Sequence, residues 1–378
     1  MDYATMKFIW WLLVGVLLIG FAIMDGHDLG VGSLLPFVGK TDDERRVAIN
    51  TIAPHWDGNQ VWFLTGGGAL FAAWPLIYAA AFSGFYWAMM LVLFALFFRP
   101  VGFDYRSKIA DPKWRNFWDW ALFTGGFVPP IIFGVAFGNL LQGVNFAFDR
   151  DMILHFQDNL FHLLNPFALL CGLVSSAMII MNGGSYLSLR TVGDIQARSI
   201  KYTKLAAYVF ITLFVIAGLW MKFGGIQGYA ITSAIDPNQV ASPLGKTVVR
   251  SADAWWANYA KYPLLWIFPL MAVGGALGTA LTVAVKPGLS YILVGVAIIG
   301  TIVTPAVAMF PFMMPSYNNM PSSLTVWDAS SSHMTLGIMA IGVLIFVPIV
   351  LFYTSWAYAK MRGKVTVERI QAKDKYLY

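Results

Sequence analysis

Residues 50–74 read NTIAPHWDGNQVWFLTGGGALFAAW, and the placement of this stretch decides the fold. Its second half, 61–74, is apolar but too short to cross a hydrocarbon core of about 30 Å at about 1.5 Å per residue. A crossing here must therefore carry His55, Asp57, Asn59 and Gln60 with it. The rest of the chain shows why a crossing is at issue. Of 378 residues, 58% are hydrophobic and 12% charged, with a mean hydropathy of +0.66, whereas soluble domains carry about 25% charged residues. That excludes a cytosolic enzyme. Nearly uncharged runs recur at about 8–35, 77–98, 118–140, 164–181, 205–221, 264–285, 291–310 and 334–357. They are continuous rather than alternating, which predicts an all-α polytopic membrane protein and excludes a β-barrel. The first run lacks a small-x-small cleavage site and is an anchor rather than a signal peptide.

Charge decides between eight and nine helices. The basic tail from Lys360 to Lys375 should be cytoplasmic by the positive-inside rule. With 50–74 counted as a ninth helix, the amino terminus is periplasmic and 19 of the 25 Lys and Arg residues fall on the cytoplasmic side. Demoting 50–74 to a surface helix gives 17 against 8, so about nine transmembrane helices in one integral-membrane domain are favoured. The net charge of +6 then belongs to cytoplasmic loops, and no nucleic-acid partner is implied. Long outer loops fall at about 141–163, 222–263 and 311–333. Trp10, Trp74, Trp114, Trp256 and Tyr358 suit an interfacial belt. Gly66–Gly68, Gly125–Gly126 and Gly274–Gly278 suit close helix approach. Cys171, the single cysteine, leaves no intrachain disulfide.

Ionisable residues inside a membrane are costly and mark ion paths or structural pairs. Asp25 and Asp28 fall near the inner end of the first helix, sharing a face three residues apart. Asp57 falls about 10 Å into a helix entering near Asn50. Arg99 closes the third helix and Asp119 opens the fourth. All five are expected at the cytoplasmic half. The functional reading is a proton entry path through Asp57, Asp25, Asp28 and Asp119; the alternative is an ion-pair network around Arg99. Of the histidines, His27 and His55 neighbour the acids, whereas His155, His162 and His333 fall near outer helix ends. Each is expected to be a surface or hydrogen-bonded residue rather than a metal ligand.

Four motifs carry a family resemblance: Trp56-Asp57-Gly58-Asn59-Gln60-Val61-Trp62; Gly67-Gly68-Ala69-Leu70-Phe71-Ala72-Ala73-Trp74-Pro75; Phe98-Arg99-Pro100-Val101-Gly102-Phe103-Asp104-Tyr105-Arg106; and Phe137-Gly138-Asn139-Leu140-Leu141-Gln142-Gly143. With Phe310-Pro311-Phe312-Met313-Met314-Pro315-Ser316 and Ser323-Leu324-Thr325-Val326-Trp327-Asp328, the whole chain resembles subunit II of the cytochrome bd-type quinol oxidases of bacteria. The resemblance implies two four-helix bundles and a peripheral helix in the bacterial inner membrane. It implies pairing with subunit I, which carries two b-type haems, haem d and the quinol site. In this family subunit II ligates no haem, and Asp57, in its Trp-Asp-Gly-Asn-Gln context beside Trp56, belongs to a proton path from the cytoplasm. Some members hold a structural ubiquinone in this subunit, and a small single-helix subunit attaches to some complexes. His27 departs from the pattern, which expects an apolar aromatic residue between Gly26 and Asp28.

The residues leave two rivals. A secondary transporter would need charges at the midplane and internal repeats, and a self-sufficient membrane cytochrome b would need haem on this chain alone.

Overall fold

The computed structural model describes residues 1–372, so Lys373 and Lys375 of the basic tail lie outside the described residues. The chain opens with α1 (Tyr3–Val38), turns through α2 (Asp42–Ile52) and returns as α3 (Trp56–Ala73). Next come α4 (Pro75–Gly84), α5 (Tyr86–Tyr105), α6 (Pro112–Gln142) and the single turn α7 (Leu160–Leu163). The antiparallel α8 (Pro166–Arg190) and α9 (Gly193–Phe223) follow, then the short α10 (Ala257–Lys261). The hairpin of α11 (Ile267–Thr282) and α12 (Pro287–Met309), then α13 (His333–Lys360) and α14 (Val367–Ala372), complete the described chain.

Nine helices among the described residues run between two ends of the molecule. Eight are long and apolar enough to cross a membrane. The ninth, α3, has 18 residues, about 27 Å of helix, and is polar in its first turns. Both of its ends are tied: Asn59 donates to Asp28 at 2.8 Å at one end, and Ser331 N–H donates to Ala73 O at 2.8 Å at the other. α1, α3, α5 and α6 form one four-helix group, and α8, α9, α11 and α12 form a second. α8 packs on both α1 and α6 and joins the two groups. α13 leans on α1 at the rim, with 6% of its apolar window buried.

At the α1–α8 crossing the backbones nearly touch. A Cβ at Gly30 would lie 2.1 Å from Ile179 O, and one at Gly183 would lie 2.2 Å from Gly30 C. Asn182 Nδ2 fastens the same crossing by donating to Ala22 O at 3.1 Å and Ile23 O at 3.0 Å. In hydrocarbon such bonds are worth about 0.6–2 kcal/mol, so dispersion across the glycine contact carries much of the association.

The end bearing the long loops is a folded cap of three two-stranded antiparallel sheets: β1 (Phe146–Phe148) with β2 (Leu154–Phe156), β3 (Gly228–Ile231) with β4 (Val248–Ser251), and β5 (Phe312–Met314) with β6 (Leu324–Thr325). Lys7 reaches from α1 into this cap. Its buried ammonium donates to Pro237 O at 2.9 Å, Gln239 O at 3.1 Å and Trp327 O at 2.6 Å, which replaces the lost water. Lys246 pairs with Asp328 at 2.8 Å; burial pushes the amine below its ordinary range, and the carboxylate opposes that shift.

Several helix boundaries differ from the hydropathy reading. Residues 50–52 belong to α2, whose capping box joins Thr41 and Glu44. Pro54, unable to donate a backbone bond, sits in the turn before α3. Asp57 is therefore the second residue of its helix, not 10 Å inside it. The run at 77–98 is two helices, because the chain breaks at Phe85. α4 packs against the β2 and β5 strands, where Gly84 abuts the Phe156 ring, and α5 makes the crossing. Arg99 lies inside α5 rather than at its end, and Asp119 lies two turns into α6, because both helices continue past the apolar segment that hydropathy detects. Trp10 and Trp74 are buried, not interfacial: their indole N–H groups donate to Leu336 O and Val326 O. Gly125, Gly126 and Gly275 sit at close helix contacts, but Gly67 and Gly68 face open space.

Candidate functional site

At the end opposite the loop cap, the inner half of α1 meets the first turn of α3. Here helix geometry sends neighbouring residues in different directions. His27 and Asp28 are fully buried, and His55, the residue before α3, is nearly so. Asp28 Oδ1 lies 3.2 Å from His27 Nε2 and 3.7 Å from His55 Nδ1. Asp28 Oδ2 accepts from Asn59 Nδ2 at 2.8 Å. Tyr358, near the end of α13, donates to Asn59 Oδ1 at 2.9 Å. Three tyrosines thus surround the cluster: Tyr358, Tyr186 at 2.9 Å from His55 Nε2, and Tyr291 at 3.2 Å from His27 Nδ1.

Asp25 belongs to a different pair. Arg99 donates to it through both terminal nitrogens, Nη2 to Oδ1 at 2.7 Å and Nη1 to Oδ2 at 3.0 Å, and both side chains are buried. The Arg99 guanidinium also lies 5.7 Å from the Trp56 ring centroid, within cation–π range. Between Asp28 and Arg99 is a void of about 10 Å³, lined also by Val31, Leu35, Phe103 and Leu122. That is room for about one water.

Asp119 sits in a third group. Its carboxylate accepts from Arg106 at 2.6 and 3.2 Å and from Arg45 at 2.7 Å. Arg106 and Arg115 both reach Asp42 at the start of α2. Asp25, Asp28 and Asp119 therefore share one end of the molecule but not one network.

Asp57 joins none of these groups. It is exposed, and among the described residues no side chain pairs with it. It lies on a stripe of α3 with Val61, Leu64, Gly68 and Phe71, all exposed at helical spacing. One turn of α3 thus directs a carboxyl outward at Asp57 and an amide inward at Asn59.

The remaining histidines lie at the loop end: His155 beside Asp149 at 3.1 Å, His162 against Asp158, and His333 beside the Tyr3 ring. Sequence reasoning missed Tyr186, Tyr291, Arg45, Arg106 and Asp42 as partners, and assigned Tyr358 to the lipid interface. The spacing of His55 and Asn59, four apart on one helical face, was the available signal for Asn59. Nothing in the order of residues places α13 or α8 beside α3.

The fold and this constellation define a class: a nine-helix integral-membrane subunit with an ionisable cluster confined to one end. Superposition on a chain of the bd oxidase structure from Geobacillus thermodenitrificans gives a TM-score of 0.59 over 93% of this chain and 98% of that one, at 13% identity, which establishes the shared fold. A sequence model described as cytochrome bd terminal oxidase subunit II matches residues 6–361, and the chain belongs to that family. It is 53% identical, over the full length of both chains, to cytochrome bd-I ubiquinol oxidase subunit 2 of Escherichia coli strain K12. It is 49% identical, again over the full length of both, to a probable cytochrome oxidase subunit 2 of Haemophilus influenzae. Identity to cytochrome bd ubiquinol oxidase subunit 2 of Bacillus subtilis is 33%, over 96% of this chain and 98% of the relative.

Proposed function

We propose that this chain is the haem-free subunit II of an inner-membrane quinol:oxygen oxidoreductase, and that it supports subunit I and carries protons toward it from the cytoplasm. The observation that carries the reading is the first turn of α3, where Asp57 points out of the chain and Asn59 points into it onto Asp28. Asp57 and the exposed apolar side chains on its stripe form one face with no partner among the described residues, and a carboxylate beside lipid is costly, so this face calls for a protein partner. Gly68 on the same stripe leaves room for a partner helix to approach. On this reading the haems of subunit I supply the oxygen chemistry, while Asp57 takes protons at the subunit boundary. Asp28, Asn59 and the water-sized void would hold protons beside it, and Asp25 and Asp119 would shape the field. The path opens to the cytoplasm if the amino terminus is periplasmic, as the distribution of basic residues favours.

Geometry speaks against a haem in the cluster. The His27 and His55 rings are 5.4 Å apart with Asp28 against both, and the adjoining void holds about one water, not a macrocycle. A bound ubiquinone, surrounding lipid and a small single-helix subunit complete the proposed assembly; solvent extraction of the purified complex with chromatography of its quinones tests the first.

Replacing Asp57 with Asn removes the titratable proton but keeps shape and hydrogen bonding. Asp57→Asn should assemble with its full haem complement and lose most oxygen-linked proton uptake and turnover, while Asp57→Glu retains more of both. Full haem with unchanged turnover in Asp57→Asn would falsify the path.

A further inference from the structure

The hydrogen bonds around His27 and His55 fix which ring nitrogen carries the proton. His27 Nδ1 lies 3.1 Å from Ile23 O, which only accepts, so Nδ1 bears the hydrogen and Nε2 presents a lone pair. His55 Nε2 lies 3.1 Å from Thr51 O. Tyr186 lies 2.9 Å from the same nitrogen and gives its own hydrogen to Thr51 O at 3.1 Å. His55 Nε2 is therefore the donor, and its Nδ1 presents a lone pair. Both lone pairs face Asp28 Oδ1. His27 Nε2 and Asp28 Oδ1 are buried with no hydrogen-bond partner among the described residues. His55 Nδ1 has the Asn59 amide as its donor at 3.1 Å, so the two acceptors left without one, His27 Nε2 and Asp28 Oδ1, converge with it on a point that a cation can occupy.

We infer that His27 Nε2, Asp28 Oδ1 and His55 Nδ1 form a binding site for a first-row divalent cation of the zinc class. The three atoms lie within 4.8 Å of one another, and the two contacts to Asp28 measure 3.2 and 3.7 Å. Tetrahedral zinc with bonds of about 2.0–2.1 Å holds its ligand atoms about 3.3 Å apart, so small side-chain movements seat the ion. Two imidazoles and one carboxylate suit zinc, copper or nickel and disfavour calcium and magnesium. The second shell is already in place. Ile23 O and Thr51 O orient the two rings through the far nitrogens, and Asn59 Nδ2 steadies Asp28 through Oδ2. The fourth position falls to water or to the Tyr358 hydroxyl, 3.4 Å from His55 Nδ1. The binding claim rests on ligand geometry and is independent of whether protons pass Asp28.

The test uses the assembled oxidase complex, equilibrated with Zn²⁺ in excess Mg²⁺, desalted, and analysed for metal by mass spectrometry. Wild type should retain one zinc per complex that His27→Phe lacks, with affinity in that variant lowered at least about tenfold. The zinc-edge absorption spectrum of wild type should show two imidazoles and one carboxylate oxygen at about 2.0–2.1 Å. Haem content confirms assembly, and His55→Gln should lose the same metal. Equal zinc in wild type and His27→Phe, no retained zinc in wild type, or a spectrum without two imidazoles would each overturn the site. The spectrum decides even if both variants fail to assemble.

Discussion

Arg99 clasps Asp25 through both of its terminal nitrogens, at 2.7 and 3.0 Å, with both side chains shielded from solvent. The two carboxylates of α1, three residues apart on one face, therefore do different things. Asp25 has both oxygens committed to a guanidinium, while Asp28 keeps one oxygen turned toward two imidazole lone pairs. A bidentate pair resists proton exchange because leaving it strands a buried cation.

Breaking that pair from one side should be worse than removing it whole. Asp25→Ala leaves Arg99 buried and unpaired, at about 3–5 kcal/mol, and should cut the yield of assembled, haem-loaded complex. The double variant Asp25→Leu with Arg99→Met should recover much of the loss. A single variant that assembles at wild-type yield would refute the structural role.

Asp119 should behave like Asp25 and unlike Asp57. Asp119→Asn leaves Arg106, 1% exposed, without its main carboxylate, so assembly should fail before turnover is affected. Arg45 is the outer member of the group, its side chain 21% exposed, and Arg45→Gln should cost only about 0–1 kcal/mol. Comparing the yields of assembled, haem-loaded complex for the two variants separates the cases; equal loss from both would show that the network is not centred on Asp119.

Crossing number sets which side each loop faces. With nine crossings and a cytoplasmic tail, a reporter fused within 40–46 should score cytoplasmic and one within 222–263 periplasmic. The same side for both would require an odd change in the number of crossings between them and would sink the nine-crossing arrangement.

The α1–α8 crossing depends on glycine because backbone meets backbone there. Gly183→Ala places a methyl group 2.2 Å from the Gly30 carbonyl carbon, so the helices must part. A loss of about 1–3 kcal/mol or more is expected, read as a lower denaturation temperature of the complex. Gly337→Ala, on α13 with open space around it, serves as the control and should be neutral or slightly stabilising. Equal effects at the two positions would argue against the close contact.

Legible in the order of residues is what hydrocarbon enforces locally: which stretches are helical and long enough to cross, and that charges within them need an explanation. The sequence also contained the family, because the motifs around Asp57, Arg99 and Asn139 are long runs of specific residues. Its errors cluster at helix ends. Hydropathy sees the apolar middle of a helix, so it overlooked the break at Phe85 and the polar turns that carry Asp119 and Arg99 into helix interiors. Which acid meets which base was decided only by tertiary structure. Asp25 and Asp28 have the same chemistry and nearly the same position in sequence, and an offset of about 60° around the helix and about 4.5 Å along it sends one to Arg99 of α5 and the other to His55 and Asn59. Pairing depends on which helix packs across the interface, and that is set by close contacts such as Gly30 on Gly183, hundreds of dispersion terms that no local pattern encodes.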